Sequence, residues 1–445
     1  MPTQGLLATA ALLPGGWARM VELTWDSNGL LTDVRPDRPD SPLPRSQGPV
    51  ICGMPNLHSH AFQRALVGRV QQTRGGDDFW SWRETMYQAV AGLTPESLQA
   101  VSAWLFSQLV ASGYTSVVEF HYVHRPGGAK PEESASAILR AARETGIRLT
   151  LAPVLYRWGG IGGIPLSKRQ GPFHLEHAEY RRLVEHIRRE SPDTAVAVAP
   201  HSVRASDARD LRFLSDLAES SMPIHIHVSE QPAEVQSSLE QYGKTPIEWL
   251  ESEVGLDHRW ALVHATHATR AELDLIAQAG ATVVLCPTTE HDLGDGRFPL
   301  ESASQLSWGL GSDSHVSVSP AEELRLILYG MRAESGKRAA LPDAPLSNGT
   351  SLWQKAASAK SAVFGRPVGV LDVGATADFL VLDGQAPIMA GLSADESVSA
   401  FVLSGTAQDL AEVRVGGRVL ARHGRHVRHD ELLLSWKRAT TAVFG

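Results

Sequence analysis

The sequence predicts an α/β protein: a (β/α)8 barrel over residues 50–365, with a small β domain built from 1–49 and 366–445. Three observations carry this expectation. Between 50 and 365, eight short apolar, β-branched runs alternate with helical stretches. Both chain ends read as strands and turns. Polar, titratable side chains follow the carboxyl ends of most of the eight runs, which is the rim where such a barrel gathers its chemistry.

At the amino end, 6–13 reads as a strand closed by a Pro14-Gly15-Gly16 turn, and 17–24 alternates up to a turn at Asp26-Ser27-Asn28-Gly29. A proline-rich connector, 36–49, leads into the barrel. Its eight strands are expected at Val50-Ile51, 115–120, 147–152, 195–199, 224–228, 260–264, 281–286 and 306–311. Helices are expected at 78–87, at 95–111 with Thr94 as N-cap and Pro95 at its first position, and from Thr269, whose Glu272 completes a capping box before Gly280 ends the helix. Residues 334–350 read as a polar loop. At the carboxyl end, 378–383 and a hairpin around Gly416-Gly417 return to strand.

Composition bounds the function. The chain has 445 residues, 43% hydrophobic and 20% charged, which suits a globular core plus a second, smaller one. Its 49 acidic and 41 basic residues give a net charge of −8 with no long basic run, so no nucleic-acid partner is expected. No apolar run reaches the length of a membrane span, and the 6–13 stretch lacks the basic flank of a signal peptide. Two distant cysteines, Cys52 and Cys286, read as buried thiols in a reducing compartment, so a cytoplasmic protein is expected.

The strand ends carry the chemistry. His58 and His60, two apart at the end of the first strand, share one face. His201 and Arg204 follow the fourth strand, His227 and Glu230 the fifth, His264 the sixth and Asp313 the eighth. Three imidazoles (His58, His60, His227) and the Asp313 carboxylate make a mononuclear site of the Zn²⁺ or Fe²⁺ type. No lysine lies near the end of the fourth strand to bridge a second ion. A cation there lowers the pKa of its water toward neutrality. Glu230 is then placed to move that water's proton to a leaving nitrogen, and His264 to hydrogen-bond the attacked centre or to serve as a structural histidine. Asp313 both ligates and holds the nucleophile in line.

His58-x-His60, His227-x-x-Glu230, His264 and Asp313 on eight strands resemble the amidohydrolase superfamily, in its mononuclear aminohydrolase branch. The resemblance implies a distorted TIM barrel with a small β-sandwich domain from both termini. Four stretches are similar to the formimidoylglutamate deiminases of histidine breakdown: 54–64, Phe79-Trp80-Ser81-Trp82-Arg83, 119–124 and 286–290. That similarity implies hydrolysis of N-formimino-L-glutamate to N-formyl-L-glutamate and ammonia, with one divalent ion, Zn²⁺ before Fe²⁺, and a homodimer by analogy. It also implies that Gln63, Arg83, Tyr122, His201 and Arg204 bind the two carboxylates of a small dicarboxylate substrate. Arginine is the planar bidentate partner that a dianion needs, which agrees. Two other readings stay open: a nucleobase or adenosyl-type deaminase or triazine hydrolase, with Phe79, Trp80 and Trp82 stacking a ring, and a non-catalytic binding barrel.

Overall fold

The computed structural model describes residues 4–70, 79–219, 221–303, 305–338, 346–359 and 361–444; the side chains of 79–85, 302 and 361 lie outside the described set. Eight barrel positions are filled in chain order by Met54–Ser59, Tyr114–His121, Arg148–Leu155, the pair Ala195–Val196 and Ala199–Pro200, Ile224–Val228, Trp260–His264, Thr282–Leu285 and Ser307–Leu310. Every ladder between them is parallel. The strands are buried almost end to end, as a parallel sheet covered by helices requires.

The barrel is distorted at its fourth position. There the strand breaks into two short pieces, and it meets the fifth strand only through isolated bridges, Val198 with Ile224 and Ser202 with His227. The closing hydrogen bonds are Val198 N–H to the Pro223 carbonyl (2.9 Å), His225 N–H to Val198 (3.0 Å) and His227 N–H to His201 (3.1 Å).

Both termini share one mixed sheet of eight strands. Its order runs from Arg425–His426 at one edge through the carboxyl-terminal hairpin (Arg418–Arg422 with Leu410–Val415), Phe379–Leu382 and Val50–Cys52 to Gln4–Leu13, Gly16–Trp25 and Leu31–Arg35. Across this sheet Trp25 packs on Phe379 with ring centroids 5.8 Å apart. A bidentate ion pair ties this sheet to the barrel, with Arg148 Nε and Nη2 donating to Asp378 at 2.8 and 2.9 Å.

One expectation is corrected. Val50-Ile51 is not the first barrel strand; Val50–Cys52 pairs with Gln4–Leu13 and Phe379–Leu382 in the terminal sheet. The first barrel strand is Met54–Ser59, which carries His58 itself, so the sheet of the termini reaches past residue 49. Gly53 is the handover: its N–H donates to Asp378 (3.0 Å), and a Cβ there would fall 2.2 Å from Thr115, so only glycine lets the chain cross so closely.

The helices begin and end on the signals the sequence shows. Pro95–Ser112 starts on Thr94, whose hydroxyl accepts from Ser97 N–H, and stops at Gly113 with φ 110°. Arg270–Ala279 has the Thr269–Glu272 capping box and Gly280 at φ 69°. Two helices replace much of the expected 334–350 loop's surroundings, Pro320–Ser335 before it and Asn348–Ala357 from its far end; 339–345 lie outside the described residues. Among the described residues no helix is long and apolar enough to cross a membrane. Cys52 and Cys286 are both buried free thiols.

Candidate metal centre and active site

Backbone pairing assembles the centre before any side chain is considered. The ends of the first and eighth strands meet through Asp313 N–H to the His58 carbonyl (3.0 Å) and His60 N–H to the Asp313 carbonyl (3.1 Å). Asn56 pins the same junction: its amide oxygen accepts from Ser312 N–H (3.1 Å) and His58 N–H (3.2 Å), and its NH2 donates to Ser312 Oγ (2.6 Å). Asp313, His264 and Ser229 sit at φ 44°, 69° and 50°, left-handed conformations that non-glycine residues hold at a cost of roughly 1–3 kcal/mol and that cluster at functional sites.

Three imidazole Nε2 atoms converge. His58 to His60 is 3.0 Å, His58 to His227 is 3.0 Å, and His60 to His227 is 3.3 Å. Asp313 Oδ1 completes the set at 3.3 Å from His58 and 3.2 Å from His60. His60 Nδ1 donates to the Phe120 carbonyl (3.0 Å) and His227 Nδ1 to the His201 carbonyl (2.9 Å), so both rings aim an Nε2 lone pair inward. Two lone pairs 3.3 Å apart repel unless a cation stands between them. The spacings match the ligand–ligand edge of a four-coordinate zinc site, about 3.3 Å for bonds near 2.0 Å. Burial, reinforced by the neighbouring imidazole of His60, pulls His227 down to about 3 and His58 well below its ordinary value, leaving both neutral as ligands must be. Burial opposes charge on Asp313, but the imidazoles of His58 and His60 win and hold it well below the usual carboxylate range. The donor set fits one divalent ion.

Beside this cluster stand two further groups. Arg204 Nη2 donates to Glu230 Oε2 at 2.6 Å; against burial, that cation lowers Glu230 to about 2. His264 Nδ1 meets Glu290 Oε1 at 3.2 Å, while its Nε2 lies 3.8 Å from Glu230 Oε1 with no hydrogen-bond partner among the described residues. Burial disfavours charge on His264, yet the Glu290 hydrogen bond and the Glu230 carboxylate raise it to about 10.

A cavity of about 390 Å³ opens onto the centre, lined by His60, His227, Asp313 and Glu230 and by Gln63, Tyr122, His201 and Arg204. Gln63 Nε2 donates to Tyr122 Oη at 2.9 Å, leaving its Oε1 buried without a partner among the described residues. His201 Nδ1 contacts Ser202 Oγ at 3.0 Å. Tyr87, Tyr156, Phe173, Ile161 and Leu293 form apolar walls. The side chain of Arg83 lies outside the described residues, as do the rings of Phe79, Trp80 and Trp82. Arg204 lines the cavity while Glu230 and Glu234 both hold its guanidinium.

Several members escaped the sequence reading as site residues. Glu290 partners His264, Glu234 partners Arg204, and Glu119 accepts from Ser59 Oγ (2.6 Å) and Ala61 N–H (2.7 Å) behind the paired histidines. Glu119 gave a usable signal, a carboxylate inside an apolar strand. Gln231, on the cavity wall, donates to Asp295 in the loop after the seventh strand.

Comparison with known proteins agrees with this geometry. Residues 50–420 match the model of the amidohydrolase family. A formimidoylglutamate deiminase of Pseudomonas aeruginosa is 41% identical over 438 residues, 96% of each chain. The crystal structure of an amidohydrolase from Brucella melitensis superposes with a TM-score of 0.94 at 34% identity, covering 99% of this chain and 100% of that one. An atrazine chlorohydrolase of Arthrobacter aurescens, solved with zinc, shares the fold at 20% identity and a TM-score of 0.82 over 98% of this chain and all of its own. By its strands, its histidines and its sequence, the chain belongs to the amidohydrolase family.

Proposed function

We propose that this chain is a metal-dependent aminohydrolase that converts N-formimino-L-glutamate and water to N-formyl-L-glutamate and ammonia. What supports the reading most is a cavity onto which His60, His227 and Asp313 of the four-residue cluster, the Glu230 carboxylate and four donor side chains all open. The similarity to a formimidoylglutamate deiminase over nearly the full chain supports the substrate.

His58, His60, His227 and Asp313 would hold the ion, zinc in this reading. When bound there, it acidifies a water into the neutral range. Glu230, ionised beside Arg204, takes the two protons of the attacking water in turn and passes each to the nitrogen that departs as ammonia. One C–N bond breaks and one C–O bond becomes the formyl carbonyl. His264, held as a cation against Glu290, directs an Nε2–H at the oxygen where negative charge develops. Asp313 keeps the nucleophile in line, and Gln63, Arg83, Tyr122, His201 and Arg204 serve the two carboxylates of the substrate.

Ammonia release tests this directly. The protein is assayed with N-formimino-L-glutamate, guanine and 5′-methylthioadenosine, each with and without a chelator. Chelator-sensitive release from N-formimino-L-glutamate alone is expected. Release from a purine in its place would move the reading to the nucleobase or adenosyl-type deaminases, whose rings the apolar cavity walls could stack.

A further inference from the structure

Glu234 lies four residues beyond Glu230 in the helix Pro232–Tyr242, and its side chain is entirely buried. Three contacts converge on it. Oε1 accepts from Ser229 N–H at 3.2 Å, and Oε2 accepts from Glu230 N–H at 3.3 Å. Oε2 also faces Arg204 Nη1 at 3.4 Å, and the other arm of that guanidinium, Nη2, donates to Glu230 Oε2 at 2.6 Å. One carboxylate thus grips both the backbone from which Glu230 hangs and the cation that holds its head. The backbone in question is the strained one, with Ser229 at φ 50°. Capping a helix would need only the two amides. Burying a second carboxylate beside Glu230 is unfavourable in itself, because burial and the like charge both resist its ionisation, so Arg204 is what makes the arrangement tolerable.

We propose that Glu234 is a positioning residue that sets the Glu230 carboxylate, through Arg204 on one side and through the Ser229–Glu230 turn on the other. The inference rests on the assignment of Glu230 as the proton carrier. It also gives Arg204 a duty toward the enzyme's own carboxylate, in addition to any toward the substrate.

The test uses the metal-loaded protein and the variant Glu234→Gln. With N-formimino-L-glutamate, kcat is expected to fall roughly tenfold to a hundredfold with KM changed less than about threefold, the split of a misplaced reacting group. Combined with Glu230→Gln, the same change should cost nothing further, because residues acting as one unit are not additive. A crystal structure of Glu234→Gln should show Glu230 displaced from Arg204. The inference is overturned if KM alone rises, if the loss persists in full in the Glu230→Gln background, or if the 2.6 Å contact stands unmoved. Should Glu234→Gln fail to fold, Glu234→Asp keeps the charge, withdraws it by one methylene, and carries the same measurements. A wild type inactive on N-formimino-L-glutamate defeats the substrate reading, and the crystallographic comparison still decides the role of Glu234.

Discussion

Replacing Glu230 by glutamine isolates one proton-carrying group. The substitution keeps the size of the side chain and leaves an amide oxygen to accept from Arg204 Nη2, now at 2.6 Å from Oε2. Arg204 retains Glu234 at 3.4 Å, so the half-buried guanidinium is not left without a counter-charge. None of the four atoms that would hold the ion belongs to Glu230, and metal content should stay at the wild-type level. What disappears is a carboxylate that Arg204 keeps ionised at any working pH, its value being about 2. A positioned acid or base contributes about 10²–10⁴ in rate, equivalent to about 2.7–5.5 kcal/mol of barrier. Because Glu230 is used twice, at the water and at the departing nitrogen, the loss in kcat belongs at the upper end, about 10³–10⁴. Initial rates of ammonia release, with metal counted by mass spectrometry on the same sample, give the answer. A metal-replete Glu230→Gln enzyme within about tenfold of wild-type turnover would refute the proton-carrier role.

Other outcomes follow from the same geometry. His60→Ala removes one of the three converging nitrogens, so bound metal and turnover should fall together, turnover by more than about a hundredfold, as read by metal analysis and ammonia release. Asp378→Ala leaves Arg148 without its bidentate partner and strips the acceptor from Gly416 N–H and Thr376 Oγ, at a cost of about 3–5 kcal/mol that appears as a lower Tm in calorimetry. Burial pushes Glu323 up to about 8 in the folded protein, against an ordinary value of 4.5. Its contribution is therefore complete below pH 4.5 and is lost as pH rises through 8, because the unfolded chain gives up that proton first. Glu323→Gln should flatten the decline of Tm between pH 5 and 8, and an unchanged slope would contradict this assignment.

The barrel and the ion-binding set were legible because their signals are local and periodic. His58 and His60 stand two apart, and seven of the eight expected strand positions recur in the folded barrel, the fourth of them as two short pieces. The first strand is expected at Val50-Ile51, four residues before Met54–Ser59 begins, because an apolar triplet does not state which sheet it joins. The choice was made by Gly53, whose missing side chain admits Thr115. The carboxylates behind the site were less visible. Glu234 and Glu290 lie in the first turns of helices, where acidic residues are ordinary, and only the packing of separate strands brings them to Arg204 and His264. Arg204 reads from its place after the fourth strand as a substrate ligand, and nothing in the sequence tells that the folded chain also pairs it with two of its own carboxylates. A sequence shows that a cation is near the site but not what neutralises it.

The seam between the fourth and fifth strands has a mechanical consequence. It is spanned by few backbone bonds, and the His201 carbonyl there receives both the N–H and the ring Nδ1–H of His227. The latch of the cylinder is thus one of the side chains that would grip the ion. Holding the ion and keeping the cylinder shut would draw, at this point of the chain, on the same side chain, so hydrogen exchange along 198–202 should slow when the ion is supplied and quicken when it is stripped.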